Sequence, residues 1–152
     1  MYNYLAAVLL TLTILPSTAA NGLTGVAAWK AHAAKMELKF ELPVGLLVSI
    51  CAQESGWRNG ITGAAGEVGI CQIKMATAKM VCVNCKNLEE MLQNPYTNLM
   101  LAAMYLSFIK DNISGDPDVM AAAYNGGHAH AVVKYMAQVR DRRNALLHGR
   151  RL

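Results

Sequence analysis

The amino-acid sequence predicts a single, mostly α-helical domain with one irregular, glycine-rich insert. Three observations carry that reading. Apolar residues recur at helical spacing over most of the chain, and strict alternation of the strand type is almost absent. Start and stop signals, a proline after a polar residue or a glycine after an apolar stripe, bracket these segments. Finally, 152 residues with 54% in the hydrophobic set and 16% charged are enough for one core, too apolar for disorder and too few for two ordinary domains.

Taken in order, the chain opens with an apolar stretch, Leu5 to Leu15, followed by Pro16-Ser-Thr-Ala-Ala20. That is the shape of a secretory signal peptide, and it is too short to span a bilayer as a helix. Met1 to Tyr4 contains no Lys or Arg, so only the terminal amine supplies the positive charge that such segments carry. The other reading is an uncleaved apolar helix that packs on the domain or holds it at a membrane surface. Residues 1–20 are therefore set apart from a domain over 21–152.

Gly25 to Lys39 is Ala-rich and reads as a first helix. Pro43 opens a second through Ser55, a proline in the first turn losing no helical hydrogen bond, and Gly56 is its stop. Arg58 to Gly69 holds four glycines in twelve residues, the composition of a loop or a small, tightly turned hairpin. Helical pattern resumes over Lys74–Met80 and Leu88–Leu92. Asn94-Pro95 starts a long helix through Lys110, with Leu99, Met100, Ala103 and Leu106 on one face. Asp116-Pro117 precedes a short helix, Asp118–Tyr124, and Ala129–Leu147 is the last.

Fourteen Lys and Arg against ten Asp and Glu give a net charge of +4, too mild for a nucleic-acid signature. The basic residues Lys134, Arg140, Arg142, Arg143, Arg150 and Arg151 read as a solvated helix face and tail; their functional version is attraction to an anionic polymer. Four cysteines, Cys51, Cys71, Cys82 and Cys85, allow three full pairings, among which the sequence does not choose. Cys51 and Cys71 also suit plain buried thiols. Cys82-Val-Asn-Cys85 has the spacing of half a zinc site, but no second such pair or close His pair completes it. His128 and His130, two apart, do not share a helix face, so no metal is expected.

The informative carboxylate is Glu54. Ile50 and Leu47 lie four and seven residues before it, so Glu54 continues the apolar stripe of its helix. No Lys or Arg occupies Gly45 to Trp57. A carboxyl so placed is either protonated near neutral pH, and hence a general acid, or turned into solvent at the helix end. Gln72 sits in the apolar run Gly69-Ile-Cys-Gln72-Ile73 and needs hydrogen-bond partners or a ligand with hydroxyl and acetamido groups. Tyr124 and Asn125 end a small-residue helix before Gly126-Gly127 and either face a cleft or cap and pack. Trp57 either stacks on a sugar or plugs the core, and the core is favoured.

Glu54-Ser55, Gly69-Ile-Cys-Gln72-Ile73 and Ala123-Tyr124-Asn125, in this order and at these separations, resemble the three signature motifs of soluble lytic transglycosylases. Asn94-Pro95, Asn98 and Tyr105-Leu106 are similar to that family's stretch between its second and third motifs. The resemblance covers Leu42 to Gly127. It implies a lysozyme-like, goose-type domain that cleaves the β-1,4 bond between N-acetylmuramic acid and N-acetylglucosamine in peptidoglycan, with no cofactor. It further implies that Glu54 protonates the glycosidic oxygen and then takes the proton of the muramyl C6 hydroxyl, which closes on C1 to leave a 1,6-anhydro end.

By the same resemblance Ser55 hydrogen-bonds near the departing sugar or orients Glu54, Gln72 contacts substrate beside the scissile bond, Tyr124 positions or tunes Glu54, and Asn125 holds the helix end and cleft. Cys71 stands where the family more often has Met, Gly or Phe. One acid suffices for this chemistry, whereas ordinary glycosidases need two, about 5–5.5 Å apart for retention or roughly 6.5–9.5 Å for inversion. Glu67 is the alternative: reaching the sugar it would activate water and make a lysozyme-type hydrolase, but a solvent-facing loop position is favoured. A third reading is a non-catalytic wall-binding component of a secretion system or virion. Small members of the family imply an exported, monomeric protein of the periplasm or cell envelope that serves a phage particle or a secretion or conjugation apparatus and binds no nucleic acid.

Overall fold

The computed structural model describes residues 25–127 and 129–150. The signal-peptide reading of residues 1–20, His128 and Arg151 lie outside the described residues. Among the described residues, seven helices and one small hairpin follow in chain order: α1 (Gly25–Lys39), α2 (Leu46–Ser55), β1 (Glu67–Val68), β2 (Ile73–Lys74), α3 (Met75–Val81), α4 (Leu88–Gln93), α5 (Pro95–Asn112), α6 (Pro117–Asn125) and α7 (Ala129–Leu147).

The long helix α5 is the axis. Asn94 caps it, accepting the Tyr96 N–H at 3.0 Å and the Thr97 N–H at 3.4 Å, and Pro95 occupies the first turn, where its missing N–H costs nothing. It buries Leu99, Leu101, Ala102, Ala103, Leu106 and Ile109 against α1, α3, α4, α6 and α2. The small residues Ala102 and Ala103 let neighbouring helices approach closely. Asp116 repeats the device for α6, accepting the Asp118 and Val119 N–H groups, each at 3.0 Å.

Helix α2 is buried on nearly every side, from Leu46 to Ala52, as expected of a helix that is apolar all round. It does not start at Pro43 as the proline signal predicts. Its N-cap is Gly45, held at φ 77°, and no local side chain caps it. The buried carboxylate of Glu37 on α1 does so instead, accepting the Gly45 N–H at 2.7 Å and the Val48 N–H at 3.1 Å. A carboxylate at a helix N-terminus satisfies orphan donors and opposes the helix dipole. At the other end Gly56, at φ 61°, stops the helix with its N–H on the Ala52 carbonyl, a glycine C-cap.

The glycine-rich segment resolves to the hairpin reading. β1 and β2 are antiparallel with Glu67 opposite Lys74 and Val68 opposite Ile73, and Thr62 adds a bridge to Val68. A two-stranded hairpin is marginal alone, and buried Asn98 of α5 anchors it. Asn98 Oδ1 accepts the Cys71 N–H at 3.0 Å, and its Nδ2 donates to the carbonyls of Val68 and Leu92, each at 2.9 Å. Gly69 (φ 79°) must be glycine: a Cβ there would lie 2.6 Å from Asn98 Nδ2 and 2.7 Å from the Leu92 oxygen.

The cysteines pair as Cys51–Cys71 and Cys82–Cys85. Cys51 and Cys71 are thus a buried cystine and not two thiols, and the Cys82–Cys85 sulfurs, bonded to each other, are not half of a zinc site. Trp57 is core, as favoured, with its indole N–H buried and unpartnered. Three of the basic side chains of α7 are tied into the fold: Arg142 Nε donates to Gln53 at 2.9 Å, Arg143 Nε to the Val44 carbonyl at 2.8 Å, and Arg140 pairs with Asp118 at 3.2 Å.

Candidate active site

The end of α2, the hairpin and the end of α6 enclose a polar cleft of about 450 Å³. Glu54, Gln72, Tyr124 and Asn125 all line it, and so do Glu67 and Tyr105. Residues far apart in sequence meet there because the ends of α2 and α6 both bind the hairpin turn, Ser55 at the Ile70 carbonyl and Tyr124 at the Cys71 carbonyl, and both helices stop on αL glycines, Gly56 and Gly126.

Glu54 occupies the last turn of α2. Its Oε1 accepts a 2.6 Å hydrogen bond from the Tyr135 hydroxyl of α7. Desolvation pushes the Glu54 carboxyl above the ordinary glutamate range; the Tyr135 hydrogen bond opposes this and the negative charge of Glu67 adds to it. The apolar-stripe argument therefore resolves in favour of the buried carboxyl. Burial and the Glu54 charge in turn raise the Tyr135 phenol far above its ordinary value, so Tyr135 acts only as a donor.

The resemblance implies that Tyr124 positions or tunes Glu54. The Tyr124 hydroxyl donates to the Cys71 carbonyl at 2.7 Å, and burial, followed by the charge of Glu54, raises its pKa well above the usual value. Tyr124 forms a wall of the cleft and pins the hairpin, while Tyr135 is the phenol on the carboxylate. Tyr135 is the one aromatic in α7 and shares a buried face with Val139. That spacing reads as core packing, and only the docking of α7 on α2, fastened by Gln53 to Gln138 at 2.9 Å, reveals its partner.

Ser55 is buried behind the cleft. Its hydroxyl donates to the Ile70 carbonyl at 2.6 Å, so it buckles α2 to the hairpin turn, and the expected contact with the departing sugar does not fit this placement. Gln72 has φ 50° and donates its amide to the Gly69 carbonyl at 2.8 Å and the Ile61 carbonyl at 3.4 Å. That leaves the amide oxygen as the end of Gln72 available for a ligand's hydroxyl or N–H. Asn125 is exposed at the α6 terminus, in the cleft wall.

Glu67 stands on β1 and not in a loop; its side chain keeps contact with solvent but lines the cleft, 3.3 Å from Lys74 across the hairpin, and accepts the Ala65 N–H at 3.0 Å. Its own main-chain N–H, Lys74 and Ala65 hold its carboxyl below the usual range. The cleft thus holds two acids of opposite tendency, one shifted toward the protonated form and one toward the charged form, the arrangement that separates acid from anion in a site.

A mostly helical domain that sets one desolvated glutamate beneath a polar cleft, with tyrosines around it, has the lysozyme-like architecture. Two solved structures share it: an inactive mutant of the lytic transglycosylase Slt of Pseudomonas aeruginosa, with TM-score 0.72, 18% identity, 84% of this chain and 25% of that one covered, and the 70 kDa soluble lytic transglycosylase of Escherichia coli, with TM-score 0.60, 23% identity, 76% of this chain and 19% of that one. The chain belongs to the Transglycosylase SLT domain family, whose pattern matches residues 31–147. Among curated relatives, the membrane-bound lytic murein transglycosylase F of Hahella chejuensis is 39% identical over 60% of this chain and 18% of its own length. The soluble lytic murein transglycosylase of Escherichia coli K12 is 29% identical over 57% of this chain and 14% of its own length. This chain therefore spans less than a fifth of either relative.

Proposed function

We propose that this protein is a peptidoglycan lytic transglycosylase in which Glu54 is the catalytic acid and base. The observation that carries the reading is the Glu54 carboxyl itself: half-buried at the cleft floor, raised above its ordinary pKa and held at one oxygen by Tyr135. Membership of the SLT family and the names of its relatives support the substrate.

The chemistry follows from that placement. Protonated Glu54 donates to the glycosidic oxygen, the bond to C1 of the muramyl unit breaks, and the substrate's acetamido group supports the electron-poor carbon. Glu54 is now a carboxylate, steadied by the Tyr135 hydroxyl, and takes the proton of the C6 hydroxyl as that oxygen bonds to C1. The acid is regenerated and the product carries a 1,6-anhydro end. One residue serves twice because the first transfer leaves it ionised. The Gln72 amide oxygen and Asn125 bind sugar hydroxyl and acetamido groups along the cleft, Tyr124 walls it, and Ser55 holds α2 to the hairpin.

The presence of Glu67 in the same cleft favours one second reading, hydrolysis with Glu67 activating water. Its engagement by Lys74 and by main-chain N–H groups supports instead a fixed negative charge that keeps Glu54 protonated. Digestion of purified murein by wild type and Glu54→Gln, with mass spectrometry of the products, tests both. Anhydro-muramyl ends support the transglycosylase, reducing ends the hydrolase, and no soluble product a non-catalytic wall-binding component.

The reading places the protein in the cell envelope after export, in keeping with the murein-directed names of its relatives and with two cystines, which persist in oxidising compartments. Among the described residues no helix is long and apolar enough to cross a membrane. Action as a monomer, beside a phage particle or a secretion or conjugation apparatus, completes the proposal; fractionation and pull-down of the tagged chain test it.

A further inference from the structure

Cys71 is the point at which the cleft is assembled. Its N–H is held by Asn98 of α5 at 3.0 Å, its carbonyl by the Tyr124 hydroxyl of α6 at 2.7 Å, and its sulfur by Cys51 of α2. The two ends of that cystine stand beside the proposed chemistry: Cys51 lies three residues before Glu54, one turn back on the same helix, and Cys71 directly precedes Gln72. Both cysteines are 0% exposed. Among the described residues a hydrogen bond from Ser55 to the Ile70 carbonyl at 2.6 Å also ties α2 to the hairpin turn, and Ile70 is buried in the same core as Leu47 and Ile50. The chain between helix and turn, residues 56–69, turns repeatedly, with positive φ at Gly56, Trp57, Gly60, Gly66 and Gly69.

We propose that the Cys51–Cys71 disulfide is a positioning element of the reaction, which sets the Glu54 carboxyl against Gln72 and Tyr124 and makes turnover depend on its oxidation. The Cys82–Cys85 cystine, in the loop between α3 and α4, serves that loop alone. The inference rests on the transglycosylase reading of Glu54. Reduction is a two-electron exchange with an external dithiol: the S–S bond breaks, each sulfur gains a proton, and the reductant closes into its own disulfide. Bonded sulfurs lie about 2.05 Å apart, whereas two unbonded thiols need roughly 3.5 Å or more. Once the bond is gone, by reduction or by truncation of both side chains, nothing covalent fixes α2 to the hairpin turn, and a displacement on the order of 1 Å is worth up to about 10²-fold in rate when it separates groups that act together.

The test uses the full chain, soluble glycan strands as substrate and release of anhydro-muropeptides as readout. Cys51→Ala/Cys71→Ala, assayed well below its melting temperature, is expected to lose about 10- to 100-fold in kcat with KM changed less than about threefold; Cys82→Ser/Cys85→Ser is expected to keep wild-type kinetics. In parallel, wild type is reduced with dithiothreitol until four thiols per chain are titrated, then re-oxidised with oxidised glutathione. Loss of turnover with the native circular dichroism retained, and recovery on re-oxidation, supports the proposal even where the double variant does not fold. Full turnover with four free thiols, or loss only in step with unfolding, overturns it. Failure of the functional reading is a separate result, since oxidised wild type would then release no anhydro-muropeptides at all.

Discussion

The Tyr135 hydroxyl donates a 2.6 Å hydrogen bond to Oε1 of Glu54 across 81 residues of sequence. This contact stabilises the charged form of the carboxyl and so works against desolvation, which stabilises the neutral form, and against the charge of Glu67. The balance sets where the proposed general acid loses its proton. Activity is expected to fall as pH rises through that point, above the ordinary glutamate range. Tyr135→Phe removes the lowering contact, so the basic limb of the pH–rate profile moves to higher pH, while the rate falls about 10- to 100-fold for loss of a hydrogen bond to a charged group. Glu67→Gln removes a raising charge, so the limb moves to lower pH. Opposite shifts in the two profiles check the assignment; equal or absent shifts refute it.

Glu54→Gln is expected to lower turnover by about 10²–10⁴-fold, the share of a positioned acid–base, with the fold intact. The sign of its stability effect follows from linkage. Because the folded pKa of Glu54 is raised, stability is fully present below the unfolded pKa and is lost as pH rises through the folded one. The variant lacks that loss, so its melting temperature should exceed wild type at pH 8 and the gap should shrink toward pH 4. Melting curves across this range measure it.

Glu37 is the buried cap of α2, the helix that carries Glu54. Glu37→Ala leaves the Gly45 and Val48 N–H groups without their acceptor and is expected to cost about 2–4 kcal/mol in urea denaturation. Glu37→Gln keeps an acceptor oxygen and should cost less.

Asn98→Ala removes the partner of three main-chain groups in and beside the hairpin. A loss of about 3 kcal/mol is expected, with faster amide hydrogen exchange at Cys71. Gly69→Ala, which forces a Cβ into the same asparagine, should produce the same exchange pattern by a different route.

Several features were legible in the sequence because they are local. Asn94-Pro95 and Asp116-Pro117 announce their helices through caps that reach two or three residues onward, and Gly56 and Gly126 end α2 and α6 through a φ that other residues adopt at a cost. The stripe Leu47, Ile50, Glu54 is a matter of helical period; it left a buried and a solvent-turned carboxyl both open, and the packing around the end of α2 decides for the buried one. Pro43 misled the start of α2 because the cap that decides it, Glu37, sits on another helix.

What the tertiary structure decided is which groups meet across long separations. It turned Ser55 inward onto Ile70, brought Glu67 to the cleft beside Lys74, joined Cys51 to Cys71, and gave Glu54 the phenol of Tyr135. A helical period determines which face of a helix is apolar, but not which other helix covers it. Docking of α7 on α2 and of the hairpin on Asn98 supplies that second piece, and with it the desolvation and hydrogen bond that set the chemistry of Glu54.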